Sequence, residues 1–321
     1  MSAEEPALDD QTPERREELQ QLRHGLAQPE KWVSSMYFYD EAGARLFDRI
    51  TELPEYYLTR AELAIMHRHA AEMAAEIGSG AMIIEPGSGA GEKVRLLLRA
   101  LEEPVAYVPV EIARGHLEAS AQALAREFPD LEVFPVWADF TRSIEIPEPR
   151  RPASRRAVYF PGSTLGNFEP EVAAALLRNF SGMVGPGGAA LIGVDLAKDA
   201  KTIEAAYNDA EGVTADFNLN MLRNLNRRFG ADFDLGGFEH LAFYDEREAR
   251  VEMHLKSLRA QTVQVAGERV EFAPGETLWT ESSYKYTDER FATLAEAGGF
   301  RLTRTWKDEE GMFSVRYLIR A

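Results

Sequence analysis

Between residues 81 and 195, short apolar runs alternate with longer amphipathic stretches. The apolar runs have the length of buried strands and cover 81–85, 105–112, 131–136, 157–160 and 189–195. The amphipathic stretches between them predict helices over 92–101, 115–127 and 169–184. Strands that alternate with helices indicate an α/β fold, in which helices cover both faces of a mostly parallel sheet.

The remainder of the chain has other patterns. Residues 201–240 are helical in pattern and rich in asparagine, whereas 241–285 read as antiparallel strands with a two-residue alternation. A helix over 288–297 and strands over 300–306 and 313–319 resume the first pattern. With these two strands the predicted sheet has seven.

These patterns predict two domains and a tail. We expect residues 1–12 to be disordered, because they are polar and acidic. We expect 13–60 and 201–285 to form an inserted α+β domain that binds the substrate. The segments 61–200 and 286–321 then form the α/β domain, which binds the cofactor.

A glycine-rich turn follows the first apolar run. Glu85-x-Gly87-x-Gly89 is typical of motif I of class I S-adenosylmethionine-dependent methyltransferases. A dinucleotide fingerprint would need a third glycine at position 92, which is Glu92. The turn therefore favours a methyl donor over NAD, although glycines after a strand also occur in purely structural loops.

Acidic residues stand where the next strands end. Glu111 lies 22 residues after Gly89, where a nucleotide-binding βαβ unit places an acid on the ribose hydroxyls. Asp139 ends the third strand, where a carboxylate can accept from an exocyclic amine and Phe140 can cover a ring. In the methyltransferases that the glycine turn resembles, adenine binds there. Because ligands of parallel sheets bind at the carboxyl ends of the strands, these residues predict one nucleoside site.

The composition argues against several other functions. The net charge of −17 opposes a nucleic-acid partner, because the phosphates would be repelled. The chain has no cysteine and its six histidines are dispersed, so we expect no metal. It has no long apolar run, and its N-terminus lacks the features of a signal peptide. We expect a cytoplasmic protein with no membrane partner, and we expect a monomer.

Several motifs are specific enough to compare with known families. They are Phe38-Tyr39-Asp40, Leu53-Pro54-Glu55-Tyr56-Tyr57, Gly87-Ser88-Gly89 with Glu92-Lys93, Gly162-Ser163-Thr164 with Gly166-Asn167, Tyr207, Ala231-Asp232-Phe233-Asp234 with Phe238-Glu239-His240, and Thr280-Glu281 with Ser283. From about residue 32 to the C-terminus, the chain resembles the histidine Nα-methyltransferases of ergothioneine biosynthesis. The resemblance implies a class I methyltransferase fold, which is Rossmann-like. It also implies trimethylation of L-histidine to hercynine by three molecules of S-adenosylmethionine, each of which leaves S-adenosylhomocysteine.

The resemblance and the glycine turn together assign site residues. Those predicted to bind histidine are Tyr39, Tyr56, Gly162, Asn167, Tyr207, Met253, Glu281 and Ser283. Those predicted to bind the methyl donor are Glu85, Gly87, Ser88, Gly89, Lys93, Glu111, Asp139 and Phe140. Tyr39 is also a candidate catalytic residue, as a path for the amine proton. Glu111 stands where the family commonly has Asp, which should keep the ribose contact.

Glu281 is predicted to read the imidazole ring together with Ser283, because residues two apart on a strand point to one face. Met253, on a nearby strand, is expected to line the same pocket. Three alternatives stay open: a methyltransferase of another aromatic amino acid such as tryptophan, a non-catalytic S-adenosylmethionine-binding protein, and a dehydrogenase. Glu281 argues against an indole substrate, complete donor and acceptor sites argue against a non-catalytic protein, and Glu92 argues against a dehydrogenase.

Overall fold

The computed structural model describes residues 13–89, 91–112 and 114–321. The disorder expected over 1–12 lies outside these residues. The helices are α1 Pro13–Leu26, α2 Glu41–Glu52, α3 Tyr57–Ile77, α4 Glu92–Ala100, α5 Arg114–Glu127, α6 Pro170–Val184, α7 Ala200–Tyr207, α8 Val213–Phe229 and α9 Asp288–Ala297. Turns of 3-10 helix cover Ser35–Phe38, Thr164–Asn167 and Leu235–Gly237.

Apart from β1, which was not predicted, the strands follow the predicted order along the chain. They are β1 Lys31–Trp32, β2 Ala81–Pro86, β3 Ala106–Glu111, β4 Glu132–Val133, β5 Val136–Trp137, β6 Arg155–Phe160, β7 Ala189–Asp195, β8 Phe238–Asp245, β9 Arg250–Ser257, β10 Gln261–Val265, β11 Glu268–Phe272, β12 Thr277–Tyr284, β13 Phe300–Lys307 and β14 Phe313–Arg320.

The chain divides into two compact units. The first, which we call the α/β unit, consists of 56–200, 246–250 and 282–321. The second, which we call the insertion unit, consists of the described part of 1–55 with 201–245 and 251–281. The roles expected for the two units stay predictions.

One sheet forms the centre of the α/β unit. Its strand order is β13-β14-β7-β6-β2-β3-β4, and β5 also pairs with β3. All pairs from β7 to the β4 edge are parallel, whereas β14 runs antiparallel to both β7 and β13. The predicted α/β class, with a mostly parallel sheet and a reversed strand near the C-terminus, is therefore confirmed.

The apolar runs form the central strands because the sheet is covered by helices. Every residue of β2 and of β7 is buried. Helices α6 and α9 contribute Leu177, Phe180 and Phe291 to the core that packs against these strands. Parallel strands buried in this way are expected to read as continuous apolar runs, which is why the sequence revealed them.

The strand predicted over 131–136 is in fact two short strands, β4 and β5. Pro135 lies between them and has no N–H to donate, so it interrupts the ladder along β3. The Phe134 N–H still donates to the Tyr107 carbonyl at 2.9 Å, which keeps the segment against the sheet. The chain then runs from β5 into the loop that carries Asp139.

The insertion unit contains a sheet of order β1-β12-β9-β8 and a β10–β11 hairpin. Helix α8 packs against α2 and β8. The region predicted as helical over 201–240 is broken before α8, where the Asp209 carboxylate accepts the N–H groups of Val213 and Thr214, both at 2.8 Å. The unit boundary falls within β12, because Glu281 belongs to the insertion unit and the next residue to the α/β unit.

Among the helices that the structure describes, none is long and apolar enough to cross a membrane.

Candidate active site

The glycine turn after β2 forms a tight loop at the carboxyl end of the sheet. Gly87 and Gly89 have φ of 67° and 46°, which is the left-handed region that glycine adopts at little cost. The Gly87 N–H donates to the Val110 carbonyl at 2.8 Å, so the loop is fixed to β3. Helix α4 begins at Glu92 with Gly91 as its cap, and its first N–H groups have no partner within the helix. This is the arrangement that binds an anionic or polar ligand.

Phe140 packs beside the glycine loop. A Cβ atom on Gly87 would lie 3.4 Å from the Phe140 ring, which is an ordinary van der Waals distance, so the ring lies directly beside the loop. The ring is fixed from behind by edge contacts with Phe160 and Phe168, with centroids 5.6 Å and 6.4 Å away. Phe140 thus has a fixed position at the loop, as covering a nucleobase would require.

Glu85 and Ser88 are both buried but differ in their partners. The Tyr107 hydroxyl donates to the Glu85 carboxyl group, and burial raises the pKa of Glu85 to about 8. The Glu85 side chain is therefore held in the interior, and its contact with a donor stays a prediction. The Ser88 hydroxyl oxygen is buried and has no hydrogen-bond partner among the described residues. A buried hydroxyl without a partner is unusual, and a polar ligand group in the loop would satisfy it.

Glu111 lies beside the segment that leads to Asp139, because Glu111 pairs with Trp137 across β3 and β5. The Asp139 carboxylate accepts from the Thr141 N–H at 2.9 Å and from the Thr141 hydroxyl at 2.7 Å. Its side chain is still 44% exposed, so it remains accessible. The structure thus brings both predicted acids to the edge of the sheet that carries the glycine loop.

Trp137 is a surface residue that the sequence analysis passed over. It is 63% exposed, its indole N–H donates to the Ile112 carbonyl at 2.9 Å, and the Arg114 guanidinium lies 5.4 Å from its ring centroid. The indole therefore has a defined orientation between the ends of β3 and β5. No sequence motif singled it out, because its neighbour in space is 25 positions away.

Lys93 and Gly162 meet at a residue that the sequence analysis also passed over. The Glu62 carboxylate pairs with the Lys93 ammonium group, and it accepts the Gly162 N–H at 2.9 Å. Glu62 is wholly buried on α3. An isolated glutamate on a predicted helix has no feature that distinguishes it from a surface residue, so only the structure could find it.

Asp195 ends β7 and is the centre of a buried ion cluster. It accepts from the Tyr57 hydroxyl at 2.8 Å, from Lys198 at 2.6 Å and from Lys285 at 2.8 Å. Burial lowers the pKa of Lys198, although Asp195 opposes the shift. Lys285 also donates to the Ser283 hydroxyl oxygen at 2.9 Å, which links a predicted acceptor residue to the cluster.

The loop after β6 is held to this cluster as well. Ser163 adopts a left-handed backbone with φ of 61°, and its hydroxyl oxygen accepts the Asp195 N–H at 3.0 Å. The turn Thr164–Asn167 follows and carries the predicted acceptor residue Asn167. A Cβ atom on Gly166 would lie 2.8 Å from the Tyr284 carbonyl oxygen, so this loop and the end of β12 approach closely.

In the insertion unit, Tyr39 ends a short 3-10 turn. Its ring packs edge-on against Phe47 and Phe217, each with a centroid distance of 5.9 Å, and the residue is 46% exposed. The adjacent Asp40 caps α2 through the Gly43 N–H at 2.8 Å. The Phe38-Tyr39-Asp40 motif thus fixes a helix start and an aromatic cluster, with Tyr39 accessible at its edge.

Tyr207 is buried at the end of α7, where its carbonyl accepts from His240 Nε2 at 2.9 Å. The other ring nitrogen of His240 accepts from the Asn218 amide at 2.9 Å. Burial lowers the pKa of His240, which favours its neutral form. This explains structurally why a histidine and an asparagine-rich helix accompany Tyr207 in the sequence.

Glu281 lies on β12, where its carbonyl accepts the Trp279 indole N–H at 2.9 Å. The Trp279 ring packs against His254 at 5.5 Å, and His254 pairs with Glu252 at 2.9 Å. Because residues two apart share a face, Glu281 lies on the face of β12 that carries Trp279. Met253 is buried and points to the other face, since it neighbours His254 on β9. This alternation does not support the prediction that Met253 and Glu281 line one pocket.

The predicted site residues are distributed over both units. Those in the α/β unit are all the donor residues with Tyr56, Gly162, Asn167 and Ser283. Those in the insertion unit are Tyr39, Tyr207, Met253 and Glu281. Among the described residues, no group of three or more histidine, aspartate or glutamate side chains could hold a metal ion.

Comparison with known proteins relates these features to a family. The family described as histidine-specific methyltransferase, SAM-dependent, matches residues 18–320. The histidine N-alpha-methyltransferase of Mycolicibacterium smegmatis is 40% identical over 93% of this chain and 94% of its own length. That of Mycobacterium tuberculosis is 39% identical over 91% of this chain and 91% of its own length. The ergothioneine biosynthesis protein 1 of Neurospora crassa is 33% identical over 85% of this chain, which corresponds to 32% of that longer protein. The chain therefore belongs to the family of histidine-specific methyltransferases that use S-adenosylmethionine.

Proposed function

We propose that this protein transfers three methyl groups from S-adenosylmethionine to the α-amino group of L-histidine, which gives hercynine and three molecules of S-adenosylhomocysteine. The observation that carries this proposal is the match of the histidine-specific family to residues 18–320. The relatives named for ergothioneine biosynthesis support a place at the start of that pathway.

The α/β unit supplies a suitable surface for the donor. Phe140 would cover the adenine, Asp139 would accept from its amine, and Glu111 would accept from the ribose hydroxyls. The Gly87–Gly89 loop and Lys93 would hold the methionine part, whose carboxylate suits an ammonium group. The buried Ser88 hydroxyl supports this assignment, because it has no hydrogen-bond partner among the described residues and would bond a polar ligand group.

The reaction needs alignment more than it needs a strong base. The neutral amine attacks the methyl carbon, the carbon–sulfur bond breaks, and its electron pair stays on sulfur. Holding the amine in line with that bond can supply roughly 7–11 kcal/mol of the barrier. Each of the first two transfers leaves an amine that loses a proton, to water or by way of Tyr39. The third leaves a nitrogen with no lone pair, so methylation stops there.

The acceptor residues have chemistry that fits histidine and its methylated products. Glu281 would accept from one imidazole N–H, and Ser283 would serve the other ring nitrogen. Tyr39, Tyr56, Tyr207 and Asn167 would bind the amino acid backbone, with Gly162 as a further contact. Aromatic rings also tolerate the growing positive charge through cation–π contacts, worth about 0.5–2 kcal/mol.

The expectations about nucleic-acid partners, oligomeric state and location in the cell are also proposals. The absence of a nucleic-acid partner is supported by the net charge of −17. A monomeric state and a cytoplasmic location are inferences from the sequence alone. Sedimentation of the purified protein would test the first of these two.

The experiment that tests the function offers the purified protein S-adenosylmethionine and, separately, each common amino acid. Mass spectrometry should find histidine with one, two and three added methyl groups, and a chelator should not change the rates. Consumption of tryptophan in place of histidine would indicate the alternative methyltransferase. Donor binding without any methylated product would indicate a non-catalytic binding protein.

A further inference from the structure

Glu62 is a charged residue in an apolar part of α3. It is 0% exposed, and Ala61, Ile65 and Met66 beside it on the helix are also buried. A carboxylate is almost never fully buried unless other groups compensate its charge. The position therefore requires partners, and all of those described lie in the α/β unit.

Two of the predicted site residues supply these partners. The Gly162 N–H lies 3.1 Å and 2.9 Å from the two carboxylate oxygens of Glu62. The Lys93 ammonium group donates to the second of these oxygens. The Lys93 side chain is 19% exposed and that of Glu62 only 1%, so the lysine lies between the buried acid and solvent.

The sheet leaves space for this carboxylate. A Cβ atom on Gly193, in the middle of β7, would lie 2.1 Å from a Glu62 oxygen. Any side chain at position 193 would thus displace the carboxylate. One buried acid is therefore in contact with three separate elements. They are α4 through Lys93, the loop after β6 through Gly162, and β7 at Gly193.

We propose that Glu62 is a positioning residue of the active site, which holds the Lys93 ammonium group, a predicted donor contact, and the Gly162 loop, a predicted histidine contact, in fixed places. The proposal rests on the proposed function in so far as Lys93 and Gly162 are site residues. A lysine ammonium group on a flexible four-carbon stem has many positions of similar energy, and a fixed carboxylate selects one of them. Lys93 then loses its conformational freedom when the protein folds, so donor binding does not have to offset that entropy.

The primary variant is Glu62→Gln, because glutamine keeps the size and can still accept from the Gly162 N–H, but has no charge for Lys93. We expect the affinity for S-adenosylhomocysteine, measured by calorimetry, to fall roughly ten- to hundredfold. The KM for S-adenosylmethionine should rise with it, while the KM for histidine changes less. The control is Glu72→Gln on the same helix, which removes a solvent-exposed carboxylate paired with Arg304 and should leave donor affinity unchanged.

A double-mutant cycle separates positioning from general stabilisation. If Glu62 acts through Lys93, then Glu62→Gln should weaken donor binding little further once Lys93→Met is present. Independent effects that add in the double variant would overturn the proposal. So would a folded Glu62→Gln protein with the donor affinity of the wild type.

Gly193→Ala provides a second route, because it displaces the same carboxylate without removing it. Gly193→Ala should show the same loss of donor affinity that is expected of Glu62→Gln. It therefore tests the proposal even where Glu62→Gln does not fold. If neither variant folds in the presence of S-adenosylhomocysteine, Glu62 has a purely structural role and the proposal is wrong. Because binding of S-adenosylhomocysteine needs no acceptor, these results stand apart from the question whether the wild type methylates histidine.

Discussion

The Lys285 ammonium group donates to the Asp195 carboxylate at 2.8 Å, and both side chains are 0% exposed. Lys198 and Tyr57 donate to the same carboxylate. Two ammonium groups, that of Lys285 fully buried and that of Lys198 partly buried, therefore share one acid at the carboxyl end of β7. Because an ion loses several kcal/mol of hydration on burial, each member of such a cluster depends on the others.

Asp195→Asn should destabilise the protein strongly. The variant removes the carboxylate that the Lys285 and Lys198 ammonium groups share, and leaving a buried charge without its partner costs about 3–5 kcal/mol. The measurement is the free energy of unfolding from urea titration. Glu239→Gln is the matched control, because Glu239 pairs with Lys256 at 2.9 Å while 48% exposed, and such pairs contribute about 0–1 kcal/mol. Similar losses in both variants would show that the buried cluster is not a special source of stability.

The stability of the protein should depend on pH through Glu85. Burial raises the pKa of Glu85 from 4.5 to about 8 in the folded state. The folded protein therefore keeps a proton that the unfolded chain releases, so this contribution is complete below about pH 4.5 and is lost as the pH rises to about 8. One pKa unit corresponds to about 1.4 kcal/mol, so the loss amounts to a few kcal/mol.

Glu85→Gln isolates this effect, because the amide is neutral at every pH and can still accept from Tyr107. Calorimetry without donor should show that the melting temperature of the variant rises relative to that of the wild type from about pH 5 to pH 8. Above pH 8 the difference between the two melting temperatures should be constant. Parallel melting temperatures across this range would mean that Glu85 titrates normally in the folded protein.

The sheet could be predicted from the sequence, whereas much of the site could not. Strands β2 and β7 are buried on both faces and therefore consist of apolar residues, which a single sequence reveals. The division of the third strand into β4 and β5 had a signal in Pro135, which the length of the apolar run concealed.

Glu62 illustrates what the sequence could not show. Its partners Lys93 and Gly162 are 31 and 100 positions away, so no period or motif connects them. Lys285 likewise follows a strand as any surface lysine would, and only the fold brings it to Asp195. Burial of a charge depends on contacts between distant segments, and composition and spacing do not contain that information.

Donor binding should depend on Glu111 and Asp139. Removing a hydrogen bond to a charged group costs about 1.5–3 kcal/mol, so Glu111→Ala and Asp139→Ala should each weaken S-adenosylhomocysteine binding roughly ten- to hundredfold in calorimetry. Histidine binding should change less. Asp139→Asn is a useful companion, because it can still accept from the Thr141 N–H and so preserves the turn.

Glu132→Ala is the control for these variants, because Glu132 is an acid on the neighbouring strand β4 that bonds the Arg150 N–H at 2.9 Å. It should leave donor affinity unchanged. Wild-type affinity in both Glu111→Ala and Asp139→Ala would show that the donor binds elsewhere.

Selectivity for the imidazole ring should depend on Glu281. If its carboxylate accepts from a ring N–H, then Glu281→Ala leaves that N–H without a partner, at a cost of about 1–3 kcal/mol. The loss should appear mainly as weaker histidine binding, with donor binding kept. The same change removes the polar penalty against a larger, less polar ring, so tryptophan should become a better acceptor. The measurement is kcat/KM for histidine and for tryptophan in the wild type and the variant.

Glu271→Ala is the control, because Glu271 is an exposed strand acid of the same unit, paired with Arg269. A ratio of kcat/KM values that moves toward tryptophan in Glu281→Ala alone supports ring recognition by Glu281, and a ratio that stays constant contradicts it.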